Sequence, residues 1–490
     1  MRRLFLAFLA PLGACGESDP AASVPESEST WPVTWELGSG EARFQRVVLV
    51  TFDTLRADHV SSYGYFRRTT PFLDLLASRG VLFERAMAAV SHTGPSHATM
   101  LTGLTPLEHG VEQNGHSLPE DANDLGRLLG EAGFETAAFV NVEFLRGVAT
   151  SFGKVETDTN AGPLVDAALR WLRRERGSDR FFLWLHLYGP HRWKEEVYAP
   201  TRTLAELEAD DGLAGERLYE ALSRLHGLPQ RNPDGTLDLG WTAAVAGSDR
   251  VEANTVDEYL TLVGRYDAHT RHADKLAGEL YAVIERELDL AGTSLWILTS
   301  DHGEGLASHG VAGHGSRIYQ EQLHVPLVLH ASDGSLGPAR VAALVQHVDL
   351  FPTVADYLGA RVRGLDPALH GASLRPLLEG TPGWSDRPAF SQRRPLEGDA
   401  KGKNAEELYA LQSDRHKVLV HGSGEDEFYD LEEDPLELRN LFGAESREYD
   451  ALRTLLRERV EIYRARRLSG GDVEIPADWL LELQALGYAE

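Results

Sequence analysis

Three short segments carry residue types that could do chemistry together. Thr51-Phe52-Asp53-Thr54-Leu55-Arg56-Ala57-Asp58-His59 leaves a short apolar run. Leu295-Trp296-Ile297-Leu298-Thr299-Ser300-Asp301-His302-Gly303-Glu304 leaves another, and Ser91-His92-Thr93-Gly94-Pro95-Ser96-His97 opens a stretch that stops at Gly103. Asp53 and Asp301 would offer hard oxygen donors and His302 a borderline nitrogen, a set that suits one divalent ion. Pro95 suits the first turn of a helix and Gly103 its end. Thr93 then sits beside a helix N-terminus, where free N–H groups and the helix dipole stabilise a phosphate or sulfate group. A hydroxyl there, next to a metal, can act as a nucleophile. Taken singly, each residue has a plainer explanation: an Asp at a strand end caps or turns the chain, and Thr93 or Ser96 caps a short helix. The sole cysteine is Cys15, which excludes an internal disulfide and a cysteine-rich metal site.

The elements that would position these groups follow from hydrophobic patterning. Arg46–Phe52, Phe134–Val140, Phe181–Leu187, Ser294–Thr299 and Val325–His330 are nearly continuous apolar runs, as in strands buried on both faces. Helical patterns lie between them: Pro71–Arg79, Leu125–Ala132, Gly162–Arg176 and a long one over Val251–Leu290, broken at most once. This alternation predicts an α/β fold with a mainly parallel central sheet flanked by helices. In such sheets ligands bind outside the carboxyl ends of the strands, which is where Asp53 and Asp301 fall. Residues 192–250 read as an insertion near the sheet edge. From residue 378 to 490, two short strands (Lys417–His421 and Glu427–Leu431) and an amphipathic helix (Arg447–Arg467) suggest a smaller C-terminal α+β subdomain.

Residues 1–15 begin with two arginines and an apolar run too short to span a bilayer, as in a signal peptide. The run ends in Leu12-Gly13-Ala14-Cys15, which resembles a bacterial lipobox and implies lipidation of Cys15. Residues 16–43 then read as an acidic tether, most polar in its first half. The address implied is the outer membrane facing the periplasm or cell surface, with membrane contact only through the lipid anchor. With 75 acidic against 48 basic residues the net charge is −27, which argues against a nucleic-acid partner held by a general positive field.

Taken together, the three segments resemble the sulfatase branch of the alkaline-phosphatase superfamily. Asp53-Thr54-Leu55-Arg56-Ala57-Asp58-His59 is similar to that family's opening metal motif and Thr93-Gly94-Pro95-Ser96-His97 to its nucleophile motif. Thr299-Ser300-Asp301-His302-Gly303-Glu304 with His309-Gly310 resembles its second metal motif. The resemblance covers most of residues 45–445 and implies a catalytic domain over 44–377. It also implies one divalent ion (Ca, Mn, Mg or Zn) held by Asp53, Asp301 and His302. The full Asp-His-His set of a second metal is not found at matching positions.

The departures from the family pattern shape the functional expectation. Family sulfatases oxidise Cys or Ser at the nucleophile position to formylglycine; Thr93 stands there, and its oxidation would give a ketone, so no formylglycine is expected. His97 replaces a customary Arg, Thr54 replaces the second Asp of the opening pair, and Val140-Asn141-Val142-Glu143 replaces a stretch with two cationic sulfate contacts. Threonine is the nucleophile in relatives that cleave or transfer phosphodiesters. The leading expectation is therefore an exported metal-dependent ester hydrolase with Thr93 as nucleophile, phosphoester ahead of sulfate ester. His314, His191 and His309 are candidates for leaving-group acid or substrate contacts, and His97 and Arg56 for holding substrate oxygens. The substrate would be an anionic ester on a small molecule, glycan or lipid headgroup. A transferase acting on envelope acceptors, or a non-catalytic glycan-binding lipoprotein of the same fold, are the alternatives.

Overall fold

Seven consecutive residues, Arg46–Phe52, are buried on both faces and form the strand β2, after a short β1 at Thr34–Glu36. The computed structural model describes residues 32–40, 42–194, 205–209, 212–228, most of 231–237, 255–288, 290–395, 406–422, 425–443 and 446–468. The expected signal peptide, Cys15 and most of the tether lie outside them, as does much of the insertion. Trp31–Glu490 form one packed unit.

The central sheet takes in β3 (Val81–Met87), β4 (Glu135–Val140), β5 (Lys154–Thr157), β6 (Phe181–Leu187), β7 (Ser294–Ser300), β8 (His324–Ala331) and β9 (Ala339–Gln346), in the order β5-β4-β6-β2-β7-β8-β3-β9. All run the same way except β8, which is antiparallel to both β7 and β3. The mainly parallel sheet is thus as expected, with one reversed strand. β3, β5 and β9 are additions to the strands that the apolar runs marked.

The period of two along each strand sends alternate residues into two layers. Leu49, Trp184 and Ile297 pack with Ala98, Met100 and Leu101 of the helix α2 (Thr93–Thr102) on one face. Val50, Leu185 and Leu298 pack with Leu73 of α1 (Pro71–Ala77) and with Ala277 and Leu280 of the helix Val256–Ala282 on the other. Each such fully buried aliphatic side chain contributes on the order of 1.5–3 kcal/mol. The long helix starts at a Thr255–Glu258 capping box and runs unbroken into a π-helical turn at Val283–Glu287, so the allowed break is not there.

The insertion follows β6, which lies between β4 and β2. It springs from an interior strand, not from the sheet edge. Its helix Gly215–His226 contributes Leu218, Tyr219 and Leu222 to a cluster with Trp193, Tyr259, Tyr266 and Leu306. The C-terminal subdomain holds four antiparallel strands where two were expected: Ala389–Arg393, Leu408–Gln412, His416–His421 and Glu427–Asp430, covered by the helix Arg447–Ala465.

Candidate active site

Register alone brings the two acidic motifs together. Phe52 of β2 pairs with Ser300 of β7 and with Leu187 of β6, so Asp53 and Asp301 leave the sheet side by side at its carboxyl edge. The chain then turns sharply at Thr54, whose φ of 59° is unusual for a β-branched residue. Such a conformation costs roughly 1–2 kcal/mol. Three hydrogen bonds hold it: Thr54 N donates to Asp301 Oδ1 (3.0 Å), Leu55 N to Ser300 Oγ (2.7 Å), and Tyr266 OH to the Thr54 carbonyl (2.7 Å).

Asp53, Asp301 and His302 are all fully buried and offer donor atoms within 4.8 Å of one another. Each is anchored through one atom. Asp53 Oδ2 accepts from His186 Nε2 (3.1 Å), Asp301 Oδ1 accepts from the N–H groups of Thr54 and His302 (3.0 and 2.8 Å), and His302 Nδ1 donates to the Gly303 carbonyl (2.9 Å). Asp53 Oδ1 and Asp301 Oδ2 have no hydrogen-bond partner although buried. Two orphaned carboxylate oxygens beside the imidazole nitrogen His302 Nε2 fit a divalent cation. Burial, and then the neighbouring Asp301, push the Asp53 carboxyl well above its ordinary range. Burial is the largest effect and works against charge on Asp301, but the His302, His97 and His186 rings and the Thr54 N–H together outweigh it and hold that carboxyl below the usual value.

α2 delivers the hydroxyl. Thr93 is its first residue, following His92 as N-cap, and Gly103 ends it in the left-handed conformation. Thr93 Oγ1 lies 3.4 Å from His302 Nε2. The next residue, Gly94, donates its N–H to Asn114 Oδ1 (2.7 Å). That bond turns the Asn114 amide so that its buried Nδ2 has no protein partner, leaving an N–H donor beside the start of α2.

Of the other expected residues, two stand at this cluster. The His314 ring centroid is 4.6 Å from His302 and 4.9 Å from His191. His314 Nδ1 faces both oxygens of the buried Glu304 at 3.3 Å, and Trp193 Nε1 holds that carboxylate from the other side (2.8 Å). His191 stacks on Tyr188 at 4.3 Å.

Three others have different work. His97 Nδ1 donates to the Thr93 carbonyl (2.8 Å) and Nε2 accepts from Thr51 Oγ1 (3.0 Å). Burial lowers its pKa to about 3, so it is a neutral grip on the Thr93 backbone in place of a cation for substrate oxygens. Arg56 pairs with both oxygens of Asp58 (2.8 and 2.6 Å) and donates to the carbonyls of Glu304 and Gly305 and to Ser308 Oγ. It therefore braces the loop after His302. Gly303 packs so close to it that a Cβ there would collide with the Glu321 carbonyl and press on Arg56 Cγ. His309 is ion-paired with Glu321 (3.1 Å), which against the effect of burial raises its pKa to about 9. It lines a separate cavity of about 600 Å3 with Arg56, Asp58 and His226.

His97, His186 and Asp301 also lie within 4.8 Å of one another. All four nitrogens of the two rings are occupied by Thr93, Thr51, Asn141 and Asp53, so neither ring has a lone pair for a cation. Sequence reasoning missed Asn114 and His186. Asn114-Gly115 reads as an ordinary turn, and His186 lies inside an apolar run and reads as a core residue.

A buried cation cradle at the carboxyl edge of a parallel sheet, facing a hydroxyl on a helix N-terminus, defines an ester hydrolase of the alkaline-phosphatase superfamily. The family profile "Sulfatase" matches residues 45–360, and the profile "N-sulphoglucosamine sulphohydrolase, C-terminal" matches 314–466. The chain belongs to the sulfatase family. An N-acetylglucosamine-6-O-sulfatase of Bacteroides thetaiotaomicron is 24% identical over 476 residues, covering 82% of this chain and 83% of that protein. A multifunctional alkaline phosphatase superfamily protein of Trinickia caryophylli is 22% identical, covering 81% and 91%. Among solved structures, the phosphonate monoester hydrolase of Agrobacterium radiobacter superposes with a TM-score of 0.63 at 21% identity over 86% of this chain and 96% of that one. A structure in complex with its substrate D-glucosamine-2-N,6-O-disulfate gives 0.64 at 21% identity over 89% and 100%.

Proposed function

We propose that this sulfatase-family hydrolase cleaves phosphoester bonds, diesters or phosphonate esters, with Thr93 as the nucleophile and without formylglycine. The observation that carries the reading is the position of the Thr93 hydroxyl: on the first turn of α2, 3.4 Å from His302 Nε2. A divalent ion held by Asp53, Asp301 and His302 would lower the pKa of that hydroxyl and stabilise negative charge on the substrate. Thr93 gives its proton to solvent water, and its Oγ bonds to phosphorus as the bond from phosphorus to the leaving oxygen breaks. The leaving oxygen takes a proton from His314; burial holds the His191 ring well below its ordinary pKa, so it serves as a neutral contact. Water then attacks phosphorus, giving one proton back to His314, and the bond to Thr93 Oγ breaks, returning the oxygen to the deprotonated state in which it attacked. The Asn114 amide donates to a non-bridging oxygen whose charge grows in the transition state.

Nitrophenyl esters of sulfate, phosphate, phosphodiester and phosphonate, each assayed with Ca, Mn, Mg and Zn, test the reading. Metal-dependent diester or phosphonate cleavage supports it. Faster sulfate cleavage, in line with the names of many relatives, would replace it with a sulfatase acting without formylglycine. Asn114→Ala should lower kcat by about 10²–10³-fold with KM little changed; an unchanged kcat removes the amide from the mechanism. The reading includes export and lipidation at Cys15, supported by the lipobox-like Leu12-Gly13-Ala14-Cys15. Palmitate labelling of the full chain that persists in Cys15→Ala would remove that part.

A further inference from the structure

We propose that His186 is a positioning residue that presets Asp53 as a metal ligand, a step that rests on the metal-dependent reading above and deepens it. The ring lies near the carboxyl end of β6 between Leu185 and Leu187, fully buried, where a polar side chain is costly unless both of its nitrogens find partners. Both do. Asn141 N–H points at Nδ1 from 3.3 Å, and a backbone N–H can only donate. Nδ1 therefore carries the lone pair and Nε2 the proton, which fixes the tautomer without further assumption. Nε2 then donates to Asp53 Oδ2 at 3.1 Å.

The surroundings keep the ring where it is. Asn141 is itself tied, its Nδ2 donating to the Asp158 carbonyl (2.7 Å) and its Oδ1 accepting from Tyr188 N (2.9 Å). The His97 ring stands nearly perpendicular to His186 at 5.1 Å. One oxygen of Asp53 is thus engaged by a fixed donor, and the other, Oδ1, is the one left without a protein partner. Neighbours that orient a ligating carboxylate in this way commonly change metal affinity by about 10–100-fold when removed. His186 touches neither Thr93 nor His302 among the hydrogen bonds above, so its effect on the reaction passes through Asp53.

Two substitutions separate the two ends of the imidazole. In His186→Asn the short amide can accept from Asn141 N–H but falls short of Asp53; in His186→Gln the longer amide can donate to Asp53 but gives up Asn141. Manganese binding to the full chain is measured by calorimetry, with the thermal midpoint of each metal-free protein recorded beside it. The proposal expects affinity to fall about 10–100-fold in His186→Asn and to stay within about fivefold of wild type in His186→Gln. Wild-type affinity in His186→Asn, equal losses in both variants, or no manganese binding by the parent chain overturns it. The functional reading fails separately: it falls if Thr93→Ala keeps turnover, whatever the His186 variants do to the metal.

Discussion

Thr93→Ala is expected to lower turnover of the best ester substrate by about 10⁴-fold or more while leaving the fold intact, because an activated nucleophile has no substitute within its site. The substitution removes one hydroxyl and one methyl group from the first residue of α2, whose buried apolar packing comes mainly from Ala98, Met100 and Leu101. Thermal midpoints should therefore differ little. Thr93→Ser keeps the hydroxyl on the same turn and should retain measurable activity, and the tryptic peptide that carries Thr93 should have its unmodified mass. A modified Thr93, or full turnover in the alanine variant, would move the nucleophile elsewhere.

The second large effect is on stability. Metal-free protein places two carboxylates, Asp53 and Asp301, side by side in a buried site, and burial together with Asp301 raises the Asp53 pKa well above its ordinary value. A carboxyl whose folded pKa exceeds its unfolded one keeps its proton longer in the folded state. Its contribution is favourable below the unfolded value near 4 and is lost as pH climbs towards the folded pKa. Chelator-treated protein should thus lose stability to urea as pH rises above about 4. Asp53→Asn should remove that slope and be more stable than metal-free wild type at pH 8, by on the order of 1–3 kcal/mol. Metal reverses the ranking: at about 100 times its Kd it should add about 2.7 kcal/mol to wild type and little to Asp53→Asn. Equal pH slopes in the two metal-free proteins would remove Asp53 as the strained group.

Much of the frame was legible because parallel strands buried on both faces are written as unbroken apolar runs; β2 and β6 end where their runs end, and β7 one residue later, at Ser300. The acids at two of those ends pointed to the metal cradle for the same reason. Strands at the edge and next to it were harder to read: β9 is largely exposed over its first half, and its neighbour β3 carries Glu84 and Arg85 at a shift in register, so neither shows a clean run. Residue roles were legible only where type and strand position sufficed. Arg56 looked like a contact for substrate oxygens, yet Asp58, two residues on, neutralises it, and the loop it braces lies about 250 residues away in sequence. His97 stood at a customary cation's place, but Thr51, on a strand 46 residues earlier, takes its outward nitrogen. Those pairings are made by the sheet, and a single sequence does not print them.

The paired ends of β2 and β7 also decide when the cation can bind. Thr54 and Asp301, joined by a hydrogen bond across those ends, are 247 residues apart in sequence, and no local segment brings both acids together. Strand pairing over such separations forms late and slowly, after the intervening helices and insertion have been made. The cradle is therefore absent from any partly synthesised or unfolded chain. Under the proposed export, a chain that folds only after crossing the membrane would take its ion from the compartment it arrives in, and the identity of the metal would record where folding finished as much as which donors surround it.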